Sequence, residues 1–272
     1  MPIQTDYHLH SSFSGDSQTS MEAMILRGIA LGLKTMCFTE HMDMDYTYEK
    51  PEEVGMFDLN TDSYLFDLIK YKEKYADQIQ VLFGVEIGVQ PHLSKELARY
   101  AKAYDFDFII ASAHLCHRKD PYYPSFYEGR SEEEAYLEYF TGIEETLHGF
   151  NNFDVYGHLD YVVRYGPTKD AGYTYEKYRD ILDKILTAIL DKEKGIELNT
   201  GGISHGLKDL NPCMDILKRY RELGGEIITV GSDAHVPENL AHGFDRAAEV
   251  LKSCGFQYYT TFEKRMPSYH KI

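Results

Sequence analysis

Residues 19–41 read TSMEAMILRGIALGLKTMCFTEH, and this stretch holds one full repeat of the architecture. Thr19 stands three residues before Glu22, a capping-box spacing that opens a helix, and apolar residues then recur at helical period up to Gly32. TMCFTEH (35–41) follows as a short buried strand. The same helix-then-strand unit recurs along the chain. Helix 62–77 precedes strand 79–88, helix 92–104 precedes strand 106–114, and helix 131–150, with a second capping-box spacing at Ser131 and Glu134, precedes strand character at 154–160. Helix 175–195 closes on Gly195 as a C′ glycine before strand 196–200. A helix begun by Pro212 runs to Gly224 before strand 226–233, and helix 239–255 leads into a final short strand at 256–263.

Strands alternating with helices about seven times imply parallel strands joined by crossover helices. Order alone leaves a closed barrel and an open sheet both available. No linker or charge block divides the chain, so a single domain spanning 1–272 is expected, a length ordinary for one α/β barrel. The longest irregular pieces, 41–60, 115–130 and 160–173, all follow strands, where loops carry chemistry in such folds.

Composition narrows the classes. The formal net charge of −16 argues against a grip on nucleic-acid phosphates, and bound cations would offset part of that acidity. No apolar run approaches the roughly 20 residues needed to span a bilayer. The opening MPIQTDYHLH lacks the basic and apolar regions of a signal peptide, so a soluble cytoplasmic protein is expected. Cys37, Cys116, Cys213 and Cys254 are scattered without a CxxC pair and read as reduced thiols.

The histidines carry the functional signal. In YHLHSSFSGDS (7–17), His8 and His10 are two apart, so on a strand both side chains face one way. Alone, that pair also fits an edge strand with a polar outer face. Six of the twelve histidines, however, fall at or just past strand C-termini: His8, His10, His41, His114, His158 and His235. Asp16, Glu40, Glu86, Asp160 and Asp233 accompany them. In a parallel α/β fold all strand C-termini open on one face. Buried imidazoles and carboxylates gathered there would each need a partner, and divalent cations satisfy them together. Nitrogen and oxygen donors without thiolate suit Zn, Mn or Fe. Two such cations about 4 Å apart can hold a hydroxide and stabilise an in-line displacement at phosphorus, so phosphate-ester hydrolysis is the leading reaction class.

HLH, EH, GVE, SAH, GH and GSDAH occur here in the order of the PHP (polymerase and histidinol phosphatase) superfamily. YHLHSSFSGDS followed by MEAMILRGIALGLKTMCFTEHMD resembles its histidinol-phosphate phosphatases in particular. The likeness runs from Asp6 to about residue 260. It implies a distorted (β/α)7 barrel, TIM-like, with three divalent metal ions at the C-terminal ends of the strands. By this resemblance His8, His10, Glu86 and Asp233 hold one ion, Glu86, His114 and His158 a second, and Asp16, His41 and His235 a third. The implied reaction is hydrolysis of L-histidinol phosphate in histidine biosynthesis by a metal-bridging hydroxide.

One stretch departs from the family. Here ELNTGGISHG stands where those phosphatases tend to read NTSGLRKG, so Ser204 and His205 occupy the place of a phosphate-gripping arginine. Arg164, in DYVVRYG, is the candidate to clamp a phosphoryl oxygen, and His205 the candidate to assist the leaving group. Asp160 is read either as a loop cap or as a group orienting His158, and Glu40 as a support rather than a ligand. Asp43 and Asp45 are solvated loop acids or a lure for a substrate cation, while Cys116 and His117 are loop residues. The expected partner is a small phosphate ester, without nucleic acid or membrane, and a homodimer is left open. A PHP phosphoesterase for another small ester or nucleotide, and a non-catalytic metal-binding PHP protein, remain the alternatives. An amidohydrolase-type deamidase shares HxH on a first barrel strand but lacks the EH pair and the closing DAH.

Overall fold

The computed structural model describes residues 2–272. Seven strands, β1 (Thr5–Leu9), β2 (Thr35–Met42), β3 (Gln80–Gly88), β4 (Phe108–Ser112), β5 (Val155–Tyr156), β6 (Gly195–Asn199) and β7 (Ile228–Gly231), pair in sequence order, and every pairing is parallel. Between them run α1 (Met21–Leu31), α2 (Thr61–Lys74), α3 (Ser94–Ala103), α4 (Glu132–Gly149), α5 (Arg179–Asp191) and α6 (Met214–Glu222), and α7 (Phe244–Ser253) follows β7. The first and last strands are stitched together past their ends. Asp233 N donates to His8 O at 2.7 Å, and His10 N donates to Ala234 O at 2.9 Å. This nearly closes the sheet, so the choice left open by element order falls to a distorted (β/α)7, TIM-like barrel.

Inside the barrel, Tyr7, Cys37, Leu82, Phe108, Ile110 and Val155 form an apolar layer. Period-2 alternation carries the same inward face upward from Cys37 through Thr39 to His41, and from Leu82 through Gly84 to Glu86. Strict alternation in β1 would turn His8 away from Tyr7. A register shift between Asp6 and Leu9 is the irregularity that lets neighbouring residues both serve the interior. Gly231 makes room for that imidazole: a Cβ there would lie 2.3 Å from His8 Cβ and 2.4 Å from Glu197 Oε1.

The final strand is half of an antiparallel hairpin, β8 (Tyr258–Glu263) with β9 (Met266–Lys271). Phe262 joins the inner apolar layer, and Tyr7 Oη donates to Phe262 O at 2.8 Å. Lys264 N donates to Asp107 Oδ1 at 3.0 Å and Arg265 pairs with Asp154, two acids just before β4 and β5. The hairpin therefore closes the barrel end opposite the strand C-termini. Every residue of β9 is exposed, so its sequence carries no apolar period to read.

Local readings are corrected at four points. The cap of α1 is Ser20, whose Oγ accepts from Ala23 N at 3.2 Å. Thr19 instead donates to His235 O at 3.1 Å, and Glu22 accepts from Lys74 and Tyr75. The Ser131/Glu134 capping box is present in both directions. Gly195 is not a helix terminator: α5 ends at Asp191, and Gly195 opens β6, where a Cβ would meet Ile227 O at 2.6 Å. Pro212 lies ahead of α6, whose N-cap is Cys213, because Asn211 is tied in an extended bridge to Asn199. Strand character at 154–160 reduces to the two residues of β5.

Candidate metal centre

Glu86, near the end of β3 and wholly buried, is the hub of the barrel mouth. Its Oε2 lies 3.1 Å from His8 Nε2, 3.6 Å from His10 Nε2 and 3.0 Å from His41 Nδ1. Its Oε1 lies 3.2 Å from His114 Nε2 and 2.9 Å from His158 Nε2. Asp233 Oδ1 stands 3.5 Å from both His8 Nε2 and His10 Nε2. A third group closes between Asp16 Oδ2, His41 Nε2 and His235 Nε2, with separations of 3.5, 3.1 and 3.4 Å. The structure thus brings together His8, His10, Asp16, His41, Glu86, His114, His158, Asp233 and His235 at one mouth.

These spacings suit cations. Donors about 2.0–2.2 Å from a tetrahedral zinc sit roughly 3.4 Å from one another, the range observed here. His8 Nε2, His10 Nε2, His41 Nδ1 and Glu86 Oε2 are buried without a hydrogen-bond partner. Such atoms are costly to leave unsatisfied, and an ion shared by His8, His10 and Glu86 would satisfy three of them at once. Electrostatics agree. Burial disfavours a charged His8 and a charged His114, yet Glu197, Glu86 and Asp233 around the first push its pKa well above the ordinary value. Asp43 and Glu86 push His114 up to about 10. Burial disfavours ionised Glu86, and the imidazoles around it outweigh that and hold it well below the usual range. His10, in contrast to those two imidazoles, is held well below the ordinary value by burial and by the charge of His41 and His235, so its Nε2 is a free donor for a cation.

Around the donors runs a ring of orienting groups. His8 Nδ1 meets Glu197 Oε1 at 2.7 Å, and Glu197 Oε2 accepts from His158 N at 3.0 Å. His114 Nδ1 meets Asp43 Oδ1 at 2.7 Å. His10 Nδ1 lies 3.0 Å from Ser14 Oγ, which donates to Glu40 Oε2 at 2.6 Å and accepts from His41 N at 3.0 Å. Glu40 also accepts from Ser11 N and Oγ, so it secures the HSSFS turn and, through Ser14, two imidazoles. Ser17 and Thr19 both donate to His235 O.

The loop residues singled out in the sequence take definite places here. Asp160 does not touch His158; it accepts from Asn211 Nδ2 at 2.6 Å and Cys213 N at 2.9 Å, the loop-cap alternative. Arg164, the candidate phosphate clamp, is buried, at 4% exposed. Its Nη1 donates to Asp233 Oδ2 at 2.8 Å, Nε to Asn211 at 2.9 Å and Nη2 to Asn199 at 2.8 Å. This turns Asp233 Oδ1 toward His8 and His10. Asp45 lies out at the surface with His92 and Arg118, and His117 pairs with Glu138 and Glu145 away from the mouth. Glu197, Asp43 as the partner of His114, and the Asn199–Asn211 pair were missed. An acid inside the short apolar run IELN was the available signal for Glu197, since a charge in a buried strand demands a partner.

A cavity of about 330 Å³ opens over the donors. Tyr46 and Phe57 come from the loop after β2, Asp120 from the loop after β4, Tyr161, Arg164 and Tyr165 from that after β5, and Ser204 with His205 from that after β6. His205 stands edge-on to Tyr165 with ring centroids 5.3 Å apart. Burial and nearby Arg164 lower its pKa to about 4, so it is neutral at neutral pH.

A parallel barrel with imidazoles and carboxylates gathered at its C-terminal mouth has the build of a metal-dependent hydrolase. The PHP domain model matches residues 6–201, and the chain belongs to this family. The histidinol-phosphatase of Lactococcus lactis is 34% identical over 259 residues, covering 94% of this chain and 93% of that protein. A probable histidinol-phosphatase of Clostridium acetobutylicum is 32% identical, covering 97% and 98%. The crystal structure of the L. lactis histidinol phosphate phosphatase, complexed with zinc, L-histidinol and phosphate, matches with a TM-score of 0.87 at 31% identity, over 97% of this chain and 98% of that one. Family and donor set together make the mouth a divalent-metal site.

Proposed function

We propose that this protein is a divalent-metal-dependent phosphomonoesterase that hydrolyses L-histidinol phosphate to L-histidinol and phosphate, a step of histidine biosynthesis. The observation that carries the reading is the complete donor set around Glu86, in a chain that matches over nearly its whole length a phosphatase holding zinc, L-histidinol and phosphate. His8, His10, Glu86 and Asp233 would hold one ion, Glu86 with His114 and His158 a second, and Asp16 with His41 and His235 a third. Zn, Mn or Fe suits these donors. Such cations neutralise phosphoryl oxygens and activate the attacking water.

The chain's own residues do the rest. Arg164 fixes Asp233 and lines the cavity, where a phosphoryl oxygen would accept from a guanidinium N–H not bonded within the protein. His205, neutral in place, serves the ester oxygen as a hydrogen-bond partner rather than as a strong acid. The alcohol leaves through the mouth between Tyr46 and Tyr165. One water is consumed, the P–O ester bond breaks, and the alcohol oxygen gains a proton.

Ser204 is exposed and His205 half-buried where the family's arginine is expected, which favours a second reading: another small phosphate ester as substrate. Phosphate release from L-histidinol phosphate, a nucleoside monophosphate and an aryl phosphate decides between them, with protein loaded separately with Zn, Mn and Fe. Preference for histidinol phosphate, lost in His8→Ala, is expected. Good turnover of the aryl ester with little on histidinol phosphate would move the substrate elsewhere. Silence on all three would return the non-catalytic alternative. No helix among the described residues is long and apolar enough to cross a membrane, and the four cysteines are free. A role in histidine biosynthesis would place the protein in the cytoplasm, acting on a small soluble ester.

A further inference from the structure

We propose that Asp120 is the specificity residue for the alcohol half of the substrate, pairing with its ammonium group. The inference deepens the reading above and rests on it. Asp120 is 7% exposed and lines the same cavity as the metal donors. Its Oδ1 accepts from Tyr122 N at 2.7 Å and its Oδ2 from Tyr46 Oη, so each oxygen keeps a lone pair. Among the described residues no basic side chain forms an ion pair with it. A carboxylate buried without a counter-charge is costly unless something supplies one. Burial accordingly raises its pKa to about 6.

The surroundings say what that something is. Tyr46 packs on Phe57 with centroids 4.8 Å apart, and Tyr161 on Tyr165 at 5.1 Å, aromatic surfaces on loops from opposite sides of the mouth. Asp120 arrives from a third loop and is bonded to Tyr46. Of the rival acids, Asp43 commits Oδ1 to His114 at 2.7 Å and turns Oδ2 toward His41 Nδ1 at 3.8 Å, in among the metal donors, while Asp45 pairs with Arg118 at the surface. An amino-alcohol phosphate bearing a flat ring matches this arrangement, with its phosphate at the metals, its ring on the aromatic walls and its primary ammonium at Asp120. At neutral pH an imidazole is largely neutral and a primary amine is charged, so the amine is the group that meets the carboxylate.

The test compares wild type with Asp120→Asn on two substrates, L-histidinol phosphate and the neutral-headed p-nitrophenyl phosphate, with metal content measured for each. The expected result is about a 100-fold fall in kcat/KM for histidinol phosphate, carried by KM, and a change under about 3-fold for the aryl ester. Equal changes on both substrates would overturn the proposal. Should Asp120→Asn fold poorly, wild type decides: L-histidinol should inhibit at least tenfold better than its deamino analogue 3-(imidazol-4-yl)propan-1-ol, and equal inhibition would overturn the proposal. If wild type ignores histidinol phosphate yet prefers ammonium-bearing esters such as phosphoethanolamine to the aryl ester, and Asp120→Asn abolishes that preference, the substrate reading falls and the role of Asp120 stands.

Discussion

Glu197 Oε1 lies 2.7 Å from His8 Nδ1, deep beneath the metal donors, and the same carboxylate accepts the backbone N–H of His158. One residue of β6 thus fixes the ring of a histidine on β1 and the chain direction at a histidine after β5. Groups that orient ligating imidazoles typically contribute 10–100-fold in metal affinity. Glu197→Gln should therefore need about that much more metal for half-maximal phosphatase activity, while kcat at saturating metal stays within a few-fold of wild type. Metal titration of the chelator-treated variant reads this directly. An unchanged titration curve would reduce Glu197 to a packing residue.

Removal of metal should steepen the pH dependence of stability. In the metal-free protein the folded-state pKa of His114 is about 10, raised by Asp43 and Glu86 against the effect of burial, and an unfolded histidine titrates near about 6.5. A raised folded pKa contributes stability that is complete below the unfolded value and is lost as pH climbs to the folded one. The apoprotein should therefore lose Tm steadily between about pH 7 and 10, as His8 and His41, raised in the same direction, add to the slope. The loaded protein should be flatter there, because cations replace those protons. Metal binding should release protons, read by calorimetry in buffers of different ionisation enthalpy. Parallel Tm profiles with and without metal would show that ions do not occupy these groups.

What the sequence made legible follows from periodicity and from strand ends. Six of the seven parallel strands were readable as short apolar runs behind an amphipathic helix, β1 from its histidine spacing at the start of the chain, and the donor cluster because parallel strands point their C-termini one way. His41 and His235, 194 residues apart, could be placed together on that rule alone, and their Nε2 atoms are 3.4 Å apart. The orienting groups were not readable in the same way. Ser14, Asn199 and Asn211 are ordinary loop residues by type, and their value comes from contacts across the mouth that no local pattern encodes. Arg164 shows the same limit: its charge suggested a phosphate clamp, and its burial against Asp233 could be seen only once β7 and the loop after β5 were side by side.

Ser14 gives a sharper test of that hidden layer. Its hydroxyl accepts from His41 N, donates to Glu40 and faces His10 Nδ1, all in a buried turn. Ser14→Ala leaves the buried His41 N–H without its partner and removes one of the two donors to Glu40 Oε2. Unsatisfied groups of this kind cost about 1–3 kcal/mol each. Lower stability to urea, together with weaker metal retention during dialysis, is expected. Ser12→Ala, two residues away at an exposed position, should leave both unchanged. Equal behaviour of the two variants would mean that the turn holds itself without Ser14.

The hairpin at the opposite end separates stability from chemistry. Phe262 is 4% exposed, tilts onto Phe108 with centroids 5.2 Å apart, and belongs to the apolar layer beneath the metal donors. Truncating a buried phenylalanine typically costs about 3–5 kcal/mol. Phe262→Ala should lose stability on that scale in urea melts. Its folded fraction should keep the wild-type KM and metal content, because no residue of the hairpin lines the active cavity. Arg265→Ala removes the ion pair to Asp154 and should weaken the same closure by less, since that guanidinium is partly exposed and water screens the pair. A large KM change in Phe262→Ala, with native metal content, would show that the apolar layer transmits to the donor ring above it and would refute the division of the barrel into a stabilising end and a chemical end.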